Sequence, residues 1–448
     1  MEAPRWQGGR RDAYPLYASA DRRSQRGCIR GLMVPEVGLE PTLAEANTAL
    51  NRARLPIPPL RHGAARSERI AAPATAGKSI IRPVTLPAPP RTRRTRAAEH
   101  ALAIASALAV VLAALAGELA LRAAGPSFLR HSRVEHPHVY DEAYGWALRR
   151  GARYVGRGGE PITVNERGYR GAVHPDVPAP GSTRVVMLGD SIAFGTGVGD
   201  RETFSHHLDA LPHLEVLNLG VDGYGTDQAL IRLEREGLGY HPQVVILNFC
   251  VRNDYFDNAL PVALYDGRSP KPYFTLSGEA LTRHDDHLRL SRRQRAAVAL
   301  MERSYLMNAL LRLGGAPTET VGEGRDEDDW GERRQGVLAD FEGAAELTRR
   351  LVLAMADRSA SAGAAFAVLI HPDRRAWSGD DAMVTPLTSG GLGRTHVVPM
   401  MGEYEARRLS FEELMIDRLG HLSPKGHAVA AEIIRSVIHS LPDGDSRS

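Results

Sequence analysis

The stretch Arg184-Val185-Val186-Met187-Leu188-Gly189-Asp190-Ser191 sets the architecture of this 448-residue chain. A short apolar run that does not alternate with polar residues reads as a strand buried on both faces. It breaks at the turn Gly189-Asp190-Ser191, and the same unit then recurs downstream. Leu214 to Asn218, Val244 to Asn248 and Ala365 to Ile370 read as further strands, and Thr395 to Val398 as a weaker fifth. Helical patterns lie between them, at Thr226–Glu236, Gln335–Ala362 and Pro424–Ile438. Strands alternating with helices imply a parallel sheet covered on both faces. Ligands of such sheets bind beyond the carboxyl ends of the strands, so the chemistry is expected there.

Four junctions carry unusual sequences. A serine placed like Ser191, at the first turn of a helix, exposes its hydroxyl at the top of the sheet. Its amide points into the same space, with the positive end of the helix behind it. Taken alone, Gly189-Asp190-Ser191 is equally well an N-cap. Asn218-Leu-Gly220-Val-Asp-Gly223-Tyr-Gly225 is equally well a glycine loop that lets backbone approach closely. Asn248-Phe-Cys-Val-Arg-Asn253-Asp254 could be a turn, and His421 in Asp417-Arg-Leu-Gly-His421-Leu-Ser-Pro-Lys-Gly426-His427 a structural residue opening the last helix. None of these accounts explains the four together and in this order.

Together the four resemble the sequence blocks of the SGNH (GDSL-type) hydrolases, over roughly Arg184 to Leu441 and with insertions. The lead-in, with Tyr144-Gly-Trp and Asn165-Glu-Arg-Gly-Tyr-Arg170-Gly, resembles membrane-anchored bacterial members. The resemblance implies a three-layer α/β/α flavodoxin-like fold and an acyl-serine intermediate. It implies Ser191 as nucleophile, His421 as general base and Asp417 as the acid that orients it. The oxyanion hole would comprise the amides of Ser191 and Gly223 and the side chain of Asn253. A serine hydroxyl needs such a base, and the developing oxyanion needs fixed donors. Two positions differ from the family pattern. Three residues instead of two separate Asp417 from His421, which leaves Glu413 or a backbone carbonyl as alternative holders of the imidazole. Arg252 stands where a glycine commonly precedes the Asn, which would narrow or charge the pocket.

Apolar residues make up 43% of the chain, enough for a full-sized core. The net charge of +3 is unevenly spread. Residues 1–96 hold 18 Lys or Arg against 7 Asp or Glu, a net of +11, which leaves −8 for the remainder. A folded part that is acidic argues against a nucleic-acid partner. Of the only cysteines, Cys250 sits in an apolar run read as a buried strand end and Cys28 in a segment expected to be disordered, so no disulfide is expected, and neither CxxC nor Cys/His metal spacing occurs. The acyl-serine chemistry that the resemblance implies requires no metal or organic cofactor.

Residues 1–96 contain 12 of the 29 prolines and no sustained period, the composition of a disordered basic tail. Within them Val37 to Thr42 and Ala53 to Leu60 resemble a tRNA gene read as coding sequence, which implies a mis-assigned start. Ala101 to Gly117 then runs seventeen residues without a charge. That is the short end of what spans a bilayer; a buried helix and a cleaved signal peptide are the alternatives. No A-x-A cleavage site precedes an obvious mature start. Residues 97–124 are therefore expected to be a transmembrane anchor. Arg91, Arg93, Arg94 and Arg96 put its N-terminal side in the cytoplasm and the rest of the chain outside. Residues 125–180 read as a lead-in or linker with short strands, and 181–441 as the hydrolase domain. An insertion occupies about 256–332, where Lys271 to Thr282 reads as a hairpin with Ser-Gly at its turn. Glu323 to Glu332 reads as an acidic loop. The insertion's plainest role is a solvated excursion; a lid or partner surface is the alternative.

The expected activity is hydrolysis of small acyl esters, acetyl above all, on envelope or exported carbohydrate. The same acyl-enzyme would serve an O-acyltransferase, and the same fold an inactive carbohydrate-binding or assembly protein. The residues do not separate hydrolase from transferase, nor do they give the oligomeric state.

Overall fold

Val185 to Leu188 are all fully buried, and alternate residues feed two different cores. Val186 and Leu188 point to one face, Val185 and Met187 to the other, the period of two that a strand imposes. The computed structural model describes residues 93–125, 129, 133–156, 158–314 and 327–441. The chain divides into two units at Lys78 and Ser79, and every described residue belongs to the second. The basic tail (apart from the backbone of residues 93–96), Cys28 and the tRNA-like stretch lie outside the described residues.

In chain order, α1 (Arg93–Ala124) is followed by the strands β1 (His138–Asp141), β2 (Gly145–Leu148), β3 (Arg153–Val155) and β4 (Pro161–Thr163). Next come β5 (Thr183–Gly189), α2 (Ser191–Phe194), α3 (Phe204–Asp209), β6 (Leu214–Asn218), α4 (Thr226–Arg235), β7 (Val244–Cys250) and α5 (Asp254–Asn258). The insertion holds β8 (Tyr273–Ser277), β9 (Ala280–His284), α6 (Arg292–Arg303), α7 (Tyr305–Leu313) and α8 (Glu327–Leu338). The chain closes with α9 (Phe341–Ser361), β10 (Ala365–His371), β11 (His396–Pro399) and α10 (Pro424–Ser440).

The central sheet has the order β11-β10-β7-β5-β6, and every pairing in it is parallel. Numbered by their place in the chain, these five strands run 2-1-3-4-5, the flavodoxin-like order, with its switch point between β5 and β7. Helices α4 and α9 cover one face through Leu230, Leu233, Leu351 and Val352. Helices α3 and α10 cover the other through Phe204, Leu208, Ile433 and Ile434. The fold is three-layer α/β/α.

Three readings need correction in detail, and one pair of helices went unread. The helical pattern at 335–362 is two helices, because Asp340 caps a new start by accepting from the Gly343 amide. The described part of the acidic stretch, from Glu327, is the helix α8 instead of a loop. The β8–β9 hairpin pairs Ser277 with Ala280, so its turn is Gly278-Glu279, one residue later than read. The α6–α7 pair was not foreseen, although Ser291 and Gln294 form a capping box at its start.

The segment 133–180 is built into the domain. Trp146, Tyr169 and Arg170 are among its most deeply buried side chains. Helix α1 is its opposite: the apolar window within Ala97–Ala124 has no buried residue.

Candidate active site

Gly189 ends β5 at φ +137°, where a Cβ would fall 2.5 Å from the carbonyl oxygen of Asn248 on the neighbouring strand. Only glycine lets the two strands stay that close while the chain turns upward. Asp190 is buried and caps α2 by accepting from the Ile192 amide at 2.9 Å. That leaves Ser191 as the first helical residue, its Oγ at the carboxyl end of the sheet.

His421 Nε2 lies 3.0 Å from Ser191 Oγ, and His421 Nδ1 lies 2.6 Å from Asp417 Oδ2. The extra residue between Asp417 and His421 is absorbed by a tight turn. Asp417 Oδ1 accepts from the Leu419 amide at 2.9 Å and the His421 amide at 3.2 Å, while Gly420 takes φ +89°. Glu413 is occupied elsewhere, paired with Lys425 at 2.6 Å and accepting from the Ser410 amide at 3.0 Å. Burial pulls the His421 imidazole down, but the hydrogen bond and charge of Asp417 outweigh it, helped by Asp190 and Asp222. The imidazole therefore titrates above its ordinary value. Burial opposes ionisation of Asp417 as well, and the His421 partner and two amides bring its carboxyl below the usual range.

The three expected oxyanion donors stand differently. The Ser191 and Gly223 amides have no acceptor among the described residues, whereas the Gly220 amide donates to Asn218 Oδ1 at 3.0 Å. Gly223 sits at φ +74°, and a Cβ there would fall 2.3 Å from the Tyr265 ring. Asn253 is more engaged than the sequence implied. Its Nδ2 donates to Asp190 Oδ2 at 3.0 Å and to Asp257 Oδ2 at 3.2 Å. Burial lifts both carboxyls, Asp190 to about 6 and Asp257 to about 7, against the hydrogen bonds they accept. Asp257, one turn after Asn253, was missed by sequence reading; its i+4 position on a one-turn helix was the available signal.

The other motif residues support the site without touching Ser191. Asn218 Nδ2 donates to the Ala193 carbonyl and to Ser205 Oγ. Asp254 Oδ2 accepts from the Cys250 amide at 2.6 Å. His427 Nδ1 accepts from the Phe204 amide at 3.2 Å, and burial pushes its imidazole down to about 3. Arg252 reaches the Arg418 carbonyl at 3.4 Å, bridging the end of β7 to the turn that carries His421.

The lead-in supplies two braces, whose residues the sequence marks only by resemblance. Arg170 donates to the carbonyls of Phe194, Gly195 and Val198 and pairs with Asp200 at 3.0 Å. Its guanidinium thereby satisfies the exposed carbonyl end of the helix that carries Ser191. Trp146 Nε1 donates to the Asp222 carbonyl at 3.1 Å, and Tyr224 Oη donates to the Trp146 carbonyl at 2.6 Å, fixing the loop on either side of Gly223.

No family model matches the chain, and no curated protein does. Solved structures of GDSL-type esterases are similar to it. A lipolytic protein of the G-D-S-L family from Veillonella parvula is 10% identical over 58% of this chain and 100% of its own, with a TM-score of 0.31. A catalytic mutant of an acetylxylan esterase from Geobacillus stearothermophilus is 11% identical over 57% of this chain and 95% of its own, with a TM-score of 0.31. A two-domain esterase active on acetylated mannans is 13% identical over 59% of this chain and 52% of its own, with a TM-score of 0.27. At these scores the overlap is loose, and the fold stands on the order and register of the sheet itself.

Proposed function

We propose that the chain is a serine esterase of the SGNH type that cleaves small acyl esters, acetyl in the first instance, on carbohydrate. The observation that carries this reading is the Ser191–His421–Asp417 chain of hydrogen bonds at 3.0 and 2.6 Å, beside two amides without acceptors.

Ser191 Oγ attacks the ester carbonyl carbon as its proton passes to His421 Nε2. Asp417 keeps the other ring proton on Nδ1 and stabilises the imidazolium. The oxygen that gains charge is met by the Ser191 and Gly223 amides, with Asn253 sharing one of its N–H groups at the expense of a carboxylate. Collapse breaks the ester bond, and the sugar oxygen leaves with the proton from His421. Water then gives a proton to His421 as it attacks the acyl-Ser191 carbonyl; the acyl–Oγ bond breaks, His421 returns the proton to Ser191 Oγ, and the acid is freed.

The anchor belongs to the same proposal. Helix α1, with its Arg-rich start, spans the membrane and holds residues after Gly125 outside, where polymeric envelope carbohydrate is accessible. The test is release of free acetate from a panel of acetylated polysaccharides by the purified full chain. Release that disappears in Ser191→Ala supports the reading; a folded protein that releases none from any of them counts against it.

A further inference from the structure

Helix α7 is tied to the end of α1. The Glu118 carboxylate accepts from the Tyr305 and Leu306 amides at 3.1 and 2.9 Å and from Ser304 Oγ at 2.8 Å, capping α7 in trans. Arg122 donates to the Arg303 carbonyl and lies 5.2 Å over the Tyr305 ring. One turn back, a Cβ on Gly117 would fall 3.6 Å from Leu306 Cδ1. As the α7 side advances from 303 to 306, its partner on α1 retreats from 122 to 117. The two helices are therefore antiparallel here, and α7 points back toward the uncharged part of α1.

The face that meets α1 continues beyond it. Leu306, Leu310 and Leu313 are spaced by four and three and so share one side of α7. Leu310 is 55% exposed and Leu313 84%. The seventeen uncharged residues from Ala101 to Gly117 span about 26 Å, close to the hydrocarbon thickness of a bilayer. Glu118 and Arg122 then stand at headgroup level, and α7 starts there. Exposed Arg292 and Arg293 supply positive charge at the start of α6. The one acid on α6, Glu302, accepts from the Tyr140 amide at 2.6 Å.

We infer that α7 enters the outer leaflet beside α1: its Leu306–Leu310–Leu313 face lies against the acyl chains, and Arg292 and Arg293, ahead of it in the chain, meet anionic headgroups. The inference rests on α1 being the anchor, and it makes the insertion a second membrane contact that fixes how the domain stands on the bilayer.

The test uses the full chain in nanodiscs of phosphatidylcholine and phosphatidylglycerol. A Cys28→Ser background keeps only the buried Cys250, and an environment-sensitive fluorophore is placed through Leu313→Cys, Leu108→Cys or Val177→Cys. All three positions are exposed, so the labels leave the packing intact. Spin-labelled lipids should remove emission at Leu108 and Leu313, with a blue shift at each, and leave Val177 unaffected. Quenching at Leu108 with Leu313 behaving like Val177 overturns the α7 assignment and leaves the anchor standing. No quenching at Leu108 overturns the anchor itself. A blue shift at Leu313 without lipid quenching means that protein covers the face, a partner or a second copy, and also overturns the assignment. Omitting phosphatidylglycerol should weaken quenching at Leu313 alone; an unchanged signal removes the headgroup part.

Discussion

Asp417→Asn separates a working triad from a mere cluster. In the wild type, Oδ2 sits 2.6 Å from His421 Nδ1 while Oδ1 accepts two backbone amides. The amide variant keeps its oxygen toward those amides and turns its NH2 toward Nδ1. Nδ1 must then accept, which places the ring proton on Nε2, the nitrogen that has to take the proton of Ser191. A wrong tautomer of this kind costs about 10²–10⁴ in kcat, or about 3–5 kcal/mol of barrier. A second effect has a fixed sign. His421 must be neutral to act, so kcat/KM falls as pH drops through its pKa. Asp417 holds that pKa above the ordinary value, and the substitution moves this limb to lower pH. The assay is steady-state hydrolysis of a chromogenic acetate ester across pH, with circular dichroism to check folding. Near-wild-type turnover and an unshifted limb in a folded variant would refute the role given to Asp417.

Asn253→Ala is expected to lower kcat by about 10²–10³ with little change in KM, since its donor acts on charge that develops in the transition state. A change mainly in KM would assign Asn253 to substrate binding instead. Arg170→Lys puts one nitrogen where two served, so at least one of the three carbonyls it caps is left unsatisfied, at about 1–3 kcal/mol. The melting temperature should drop by about 2–6 °C, and an unchanged value would show the clamp to be dispensable. A reporter fused after Ala124 should be found outside the cytoplasm; cytoplasmic reporter activity contradicts the orientation.

The sheet was legible because three of its strands carry unbroken apolar runs, Val185 to Leu188, Val244 to Leu247 and Ala365 to Ile370, whereas Glu215 interrupts β6 and β11 is short. Ser191 was legible because it stands at the end of such a strand, Asp417 and His421 because they lie in the turn that opens the last helix, and the fold brings the three within 3.0 and 2.6 Å of one another. The pairing of Asn253 with Asp190 was not legible, since the two lie 63 residues apart and only the fold brings them near. Arg170 has no role legible in the sequence because three of its four acceptors are backbone carbonyls, which leave no trace in side-chain pattern. The α6–α7 pair was missed because α6 buries no residue, so it lacks the apolar stripe by which helices are read. The break at Asp340 was hidden by two helical patterns that happen to run on through it.

Reaction with a fluorophosphonate tests the central claim most directly. The probe requires a serine Oγ activated by its base, and asks nothing of the natural substrate. The expected result is one phosphonyl adduct per chain, mapped by peptide mass spectrometry to Ser191, lost in Ser191→Ala and strongly slowed in His421→Ala. Labelling at another residue, or no labelling of a folded chain, would contradict it.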